Sequence, residues 1–72
     1  MKKRIIIQNT ARRKFTFEVE RVRDRFALTR LDFTKFFTGR DRIGESGNLE
    51  DAISLAKSSI DGVIHCIDIK DL

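Results

Sequence analysis

The chain has few of the residues that hold a small domain together by covalent or metal bonds. Its 72 residues include one cysteine, Cys66, one histidine, His65, and no proline, tryptophan or tyrosine. A single cysteine excludes a disulfide within the chain, and one neighbouring histidine does not complete a zinc site. The sequence therefore predicts no metal and no cofactor. It predicts one domain over residues 1–72, whose stability depends on a thin hydrophobic core or on association with a partner.

Long apolar runs are also missing. The longest cover residues 5–7 and 63–67, far short of the roughly 18 residues that cross a membrane. Three isoleucines after Met-Lys-Lys-Arg are too few for the apolar region of a signal peptide. The sequence therefore predicts no membrane association. It predicts a cytoplasmic location, which also suits an unpaired cysteine.

Side chains suited to catalysis are equally scarce. The serines have only His65 as a conventional base, and that histidine falls within a predicted strand. Glu18 and Glu20 share one face of another predicted strand, where lysine and arginine side chains across the sheet account for them as charge partners. The sequence predicts that the protein is not an enzyme.

What the chain does have is basic charge concentrated in its first part. Residues 1–42 hold 13 lysines and arginines against five aspartates and glutamates, whereas residues 43–72 hold two against six. The formal net charge is +4 at pH 7. A folded domain of this size must present a basic surface, which attracts polyanions or an acidic partner.

Alternation of apolar and polar residues predicts strands in the first half. Residues 4–8 form a short strand, and residues 14–22 place Phe15, Phe17 and Val19 on one face. The two residues that follow, Arg23-Asp24, make a tight connection to the next element.

The segment that begins at Arg25 has two interpretations. As a strand over residues 25–33 it directs Phe26 and Leu28 towards the same core, but Leu31 has the opposite parity, so a bulge would have to switch the face. A helix over residues 25–37 is the alternative. The threonines and aromatic residues favour a strand.

Residues 48–60 have the features of a helix. Asn48 is a strong N-cap, and acidic residues follow it in the first turn. Gly62 suits the left-handed conformation that ends a helix. Residues 39–47 are predicted to form a loop before the helix. The apolar residues that recur at helical spacing are Leu49, Ala52, Ile53, Ala56 and Ile60.

Residues 63–69 are rich in β-branched residues and predict a last strand. Because both alternating positions are largely apolar, a central strand or one covered by a partner is expected. The predicted class is α+β: a small single domain, mainly an antiparallel sheet of about four strands in the order β-β-β-α-β, with one helix packed on one face.

Phe36 and Phe37 stand among cations in the least regular segment. One interpretation is that a phenylalanine closes the end of the core while the basic residues stay solvated. A second is an exposed ring that stacks on nucleic-acid bases, and a third is a dimer contact. The sequence leaves the three open.

The function that these features favour is non-enzymatic binding of nucleic acid through phosphate contacts. The densest cluster, Arg12-Arg13-Lys14, lies in the predicted turn between the first two strands. A charge run that protects an edge strand from wrong pairing is the competing interpretation of this cluster. The candidate nucleic-acid-binding residues are Arg12, Arg13, Lys14, Arg23, Arg25, Arg40 and Arg42.

The start of the predicted helix resembles a known family. Residues 44–53 read Gly-Glu-Ser-Gly-Asn-Leu-Glu-Asp-Ala-Ile and continue to Ala56-Lys57 and Ile60, similar to the glycine, polar cap, leucine, two acidic residues and alanine of HicB-type antitoxins. The resemblance covers about a quarter of the chain. Those proteins place a helix after a β-meander and bind a partner toxin. The alternative function is therefore a protein-interaction or homodimerisation module, whose partner is an acidic protein or a second copy.

Overall fold

A computed structural model describes residues 1–33 and 38–72. Five antiparallel strands form one sheet in the order β4-β3-β2-β1-β5, and one helix packs on it. The predicted α+β class is confirmed, with one strand more than expected. The elements in chain order are β1 (Lys2–Asn9), β2 (Lys14–Val22), β3 (Arg25–Phe33), β4 (Thr38–Ser46), α1 (Leu49–Ser58) and β5 (Ile64–Asp71).

The cross-strand register assigns the strand residues to two faces. Phe17 of β2 pairs with Ile5 of β1, and Val19 pairs with Leu28 of β3. All four side chains are fully buried and form one cluster with two alanines of α1. We call this side of the sheet the helix face and the opposite side the open face. The predicted core face of β2 is confirmed.

The strand β3 is continuous and buries apolar side chains on both faces. Its register with β2 runs through seven residue pairs without a shift. Leu28 lies on the helix face, whereas Ala27 and Leu31 are buried on the open face. The helix alternative is therefore wrong over Arg25–Phe33, and no bulge switches the face of β3. Leu31 has the opposite parity to Leu28 because it is buried on the open face of the sheet.

The strand β4 corrects the prediction of a loop over residues 39–47. Gly44 lies within the strand, and a Cβ atom there would stand 3.0 Å from Leu55 Cδ2 of the helix. Its neighbour Ile43 is the additional residue where the register with β3 shifts, which is a β-bulge. The glycine thus marks a close approach of strand and helix instead of a loop.

The predicted helix is confirmed, together with its cap. The Oδ1 atom of Asn48 accepts a hydrogen bond from the Asp51 N–H at 2.8 Å. Ser59 forms the C-cap. Gly62 does adopt a left-handed conformation, with φ of +83°, but it lies in the loop beyond the cap. Across the described residues, no helix has the length and apolar character needed to cross a membrane.

The strand β5 lies at one edge of the sheet, so the predicted central position is wrong, whereas the alternative of a strand covered by a partner stays a prediction. Its Ile67 and Ile69 pair with Ile7 and Ile5 of β1 on the helix face. On this face the helix packs mainly over β4, β3 and β2, away from the β5 edge. Most of β5 is therefore exposed, and the apolar residues that suggested a central strand lie at an edge.

Candidate nucleic-acid interface

The seven predicted binding residues lie in three separate places. The strand β2 extends from the first place to the second, and its nine residues span about 27 Å at a rise of about 3.3 Å per residue. One compact site cannot include both ends. The groups are Arg12, Arg13 and Lys14 at the β1–β2 turn and the start of β2, Arg23 and Arg25 at the β2–β3 turn, and Arg40 and Arg42 on β4.

A groove opens at the end of the sheet where Arg12, Arg13 and Lys14 lie. The pairing of β2 with β3 extends no further than Thr16 and Leu31. Beyond this pair the two strands border a groove of about 510 Å³. Three cations, one carboxylate and two aromatic rings contribute to its lining: Arg13, Lys14, Arg30, Asp32, Phe15 and Phe33.

Phe15 holds two of these cations in place. Its ring is almost fully buried, and the guanidinium carbons of Arg13 and Arg30 lie 5.2 and 5.3 Å from the ring centroid. Both distances are within the range of cation–π attraction. Arg30 also pairs with Asp32, whose Oδ1 lies 3.4 Å from Nε. Arg30 is thus partly neutralised and fixed at the wall of the groove.

Arg13 and Lys14 keep their charge available. Neither forms an ion pair within the part of the chain that the structure describes. Both residues are exposed. They supply two cations at the start of β2 that no carboxylate of the described residues holds.

The turn before Lys14 is rigidly braced by Asn9. Its buried side-chain oxygen accepts hydrogen bonds from the N–H groups of Ala11 and Arg13, at 3.0 and 2.9 Å. Its amide donates to the Asp61 carbonyl at 3.1 Å, which ties the turn to the loop before β5. Arg12 sits in this turn with φ of +64°. The basic cluster therefore stands on a backbone of defined shape.

Phe33 contributes an exposed aromatic surface to the same groove. Its side chain is 61% exposed, and no other aromatic residue in the described ranges, 1–33 and 38–72, is exposed to this degree. A buried position would have been expected for so large an apolar ring. Phe33 lies at the end of β3, close to the cations at the start of β2.

The open face of the sheet holds a different set of charges, centred on Glu18. This carboxylate is only 5% exposed. Arg4 Nη2 donates to Oε1 at 3.0 Å, and Arg40 Nη2 donates to Oε2 at 2.7 Å. Lys2 Nζ lies 3.3 Å from Oε2. The predicted role of Glu18 as a cross-strand charge partner is confirmed. Glu20, in contrast, is exposed and forms no ion pair within the described residues.

These contacts shift the pKa of Glu18. Burial raises the pKa, but hydrogen bonds from Arg4, Arg40 and Lys2 outweigh burial and hold it below the ordinary value of 4.5. The carboxylate is ionised at neutral pH and neutralises part of the surrounding positive charge. Arg40 is thus occupied by a structural contact.

Two further predicted residues are engaged by one carboxylate. Glu45 Oε1 lies 3.0 Å from Arg42 Nη1, and its Oε2 lies 3.7 Å from Arg25 Nε. The structure therefore leaves the Arg12-Arg13-Lys14 cluster as the predicted group with the most available charge. It adds Arg30 and Phe33, which the sequence did not indicate. The pairing of the start of β2 with the end of β3 is the signal that could have found them.

The remaining polar residues were predicted to bind no metal. No group of three or more His, Cys, Asp or Glu residues in the described ranges is arranged to hold a metal ion. Cys66 is exposed, and its Sγ lies 3.5 Å from Gln8 Oε1. The predictions for Phe36 and Phe37 fall outside the described residues.

Comparison with known proteins adds no relative. The chain matches no family model, and no curated protein or solved structure matches it.

Proposed function

We propose that this protein is a non-catalytic domain that binds single-stranded nucleic acid in the groove between the ends of β2 and β3. The observation that carries this proposal is the exposed ring of Phe33 in one groove with Arg13 and Lys14, two cations that no carboxylate of the described residues neutralises. The aromatic ring can stack on the base of a nucleotide, and the cations can contact its phosphate.

Each part of the groove has a role in this proposal. Arg13 and Lys14 contact phosphates, which contributes affinity without reading the sequence. Phe33 stacks on a base, an interaction of about 1–3 kcal/mol that every base can make. Arg30, held against Phe15, borders the groove with a fixed positive charge. The site therefore binds with little sequence preference.

Single strands are favoured because stacking requires an accessible base face. In a duplex the base faces are covered by their neighbours, so Phe33 reaches them only after unstacking, which costs a few kcal/mol. A duplex can still contact Arg13 and Lys14 through its phosphates. We therefore expect weaker, purely electrostatic binding to double strands.

Charge reversal tests the location of the site. In a titration of a fluorescently labelled single-stranded oligonucleotide, the double variant Arg13→Glu/Lys14→Glu should bind at least about tenfold more weakly at low salt. The slope of log affinity against log salt should flatten by about 1.4, because two phosphate contacts are lost at about 0.7 each. Fluorescence anisotropy over a salt series measures both quantities.

The matched control is Arg21→Glu/Arg23→Glu at the opposite end of β2. It changes the net charge by the same amount at two exposed residues that form no ion pair in the described part of the chain. We expect its affinity to stay much closer to that of the wild type. Equal losses in the two variants, or no wild-type binding at about 50 mM salt, would contradict the proposal.

A further inference from the structure

The outer edge of β5 is a second surface with features of a binding site. β5 pairs with β1 on one side, and among the described residues no strand pairs with its other side. The Leu72 N–H donates inward to the Lys2 carbonyl at 3.0 Å. Because backbone groups alternate sides along a strand, Ile67, Ile69 and Asp71 direct their N–H and C=O groups outward.

The helix packs mainly towards the other edge of the sheet, whereas β5 is largely exposed. The strand β4 has a bulge at Ile43, carries the charged run Arg40-Asp41-Arg42 and packs against the helix. Charges, bulges and covering elements are the usual means of preventing edge pairing. Ile69, in contrast, is 42% exposed on β5, and Leu72 beyond it is also exposed. The register of β5 with β1 is regular except near Asn9.

We propose that β5 pairs antiparallel with β5 of a second copy, about a two-fold axis at Ile69. In this arrangement Ile69 lies opposite Ile69 of the second copy, and the outward backbone groups of Ile67 and Asp71 meet each other across the axis. A two-fold axis perpendicular to the sheet keeps each residue on its own face. The two five-stranded sheets join into one of ten strands.

The charges of β5 favour a second copy of the chain as the partner at this edge, and they place the two-fold axis at Ile69. Asp68 then lies opposite Lys70 of the second copy, and Lys70 lies opposite its Asp68, so two cross-strand ion pairs form at once. Both residues already lie on the open face, where Lys70 Nζ is 3.6 Å from Asp68 Oδ2 in the same chain. An axis at Ile67 would instead place Asp68 opposite Cys66 and leave both pairs unmade.

Association by this edge does not depend on the groove. The strand β1 separates β5 from β2 and β3, since Ile69 pairs with Ile5 of β1, which in turn pairs with Phe17 of β2. A dimer formed through β5 leaves both grooves open. The failure of one proposal therefore leaves the other standing.

Sedimentation velocity over a concentration series, with the full chain under reducing conditions, tests this inference. The wild type should convert from monomer to dimer as concentration rises. Ile69→Lys should stay monomeric, because it places two lysines opposite each other at the axis. Val63→Lys is the matched control. Val63 is more exposed than Ile69 but lies outside the paired residues 66–72, so this variant should dimerise like the wild type.

Charge exchange tests the register. Asp68→Lys alone and Lys70→Asp alone should each weaken dimerisation about tenfold, because each creates two like-charge contacts across the axis. The double exchange restores opposite charges and should recover wild-type association. Circular dichroism verifies that every variant is folded. A wild type that stays monomeric at all concentrations overturns the inference, as does a double variant no better than the single ones.

Discussion

Replacement of Phe17 with alanine is expected to lower the free energy of unfolding by about 3–5 kcal/mol, the usual cost of removing a buried ring. Phe17 is fully buried on the helix face of the central part of the sheet, where it pairs with Ile5 and Arg30. A small domain has roughly 5–15 kcal/mol of stability in total. This single change therefore removes a large share of it.

Phe33→Ala is the matched control, because it removes the same ring from an exposed site. We expect its free energy of unfolding to stay within about 0.5 kcal/mol of the wild type. Urea unfolding followed by circular dichroism measures both variants. Similar losses for Phe17 and Phe33 would show that the Phe33 ring is buried, so it could not supply the aromatic surface of the groove.

Glu18→Gln is expected to cost about 2–3 kcal/mol at neutral pH. The change keeps the shape of the side chain but removes the charge to which Arg4 and Arg40 donate and which Lys2 approaches. Three cations then face one another without a carboxylate between them. Glu20→Gln, on the same face of the same strand, is the control and should change stability by no more than about 0.5 kcal/mol.

The contribution of Glu18 to the free energy of unfolding should also depend on pH in a defined direction. Because the pKa of Glu18 is lowered in the folded state, its stabilisation is fully present above the ordinary value of 4.5 and is lost as the pH falls through the lower folded pKa. The difference in unfolding free energy between wild type and Glu18→Gln should therefore shrink in acid. A difference that stays constant from neutral pH to well below 4.5 would contradict this assignment.

Local patterns in the sequence were sufficient to predict much of the fold. The alternation from Phe15 to Val19 identified the core face of β2, and Asn48 identified the start of the helix, since both signals depend on residues close in the chain. The strand β4 was missed because its glycines resemble a loop. Only the approach of Leu55 to Gly44 explains a glycine inside that strand, and such a contact joins distant parts of the chain.

The candidate site was harder to predict for the same reason. The Arg12-Arg13-Lys14 cluster is visible in the sequence because its members are consecutive. Its neighbours Arg30 and Phe33 come from the end of β3, and only the register between β2 and β3 brings them to the groove. Charge composition likewise could not reveal that Glu18 engages Arg40, whereas Arg13 stays without an ion pair among the described residues.

The most direct test of the proposed binding site is a nuclear magnetic resonance titration of isotopically labelled protein with a short single-stranded oligonucleotide. We expect the largest shift changes at the backbone amides of Arg13, Lys14 and Arg30 and at the ring of Phe33. Little change is expected at the β2–β3 turn around Arg23. Changes centred on that turn or on β5, or no change at low salt, would contradict the assignment of the groove as the nucleic-acid interface.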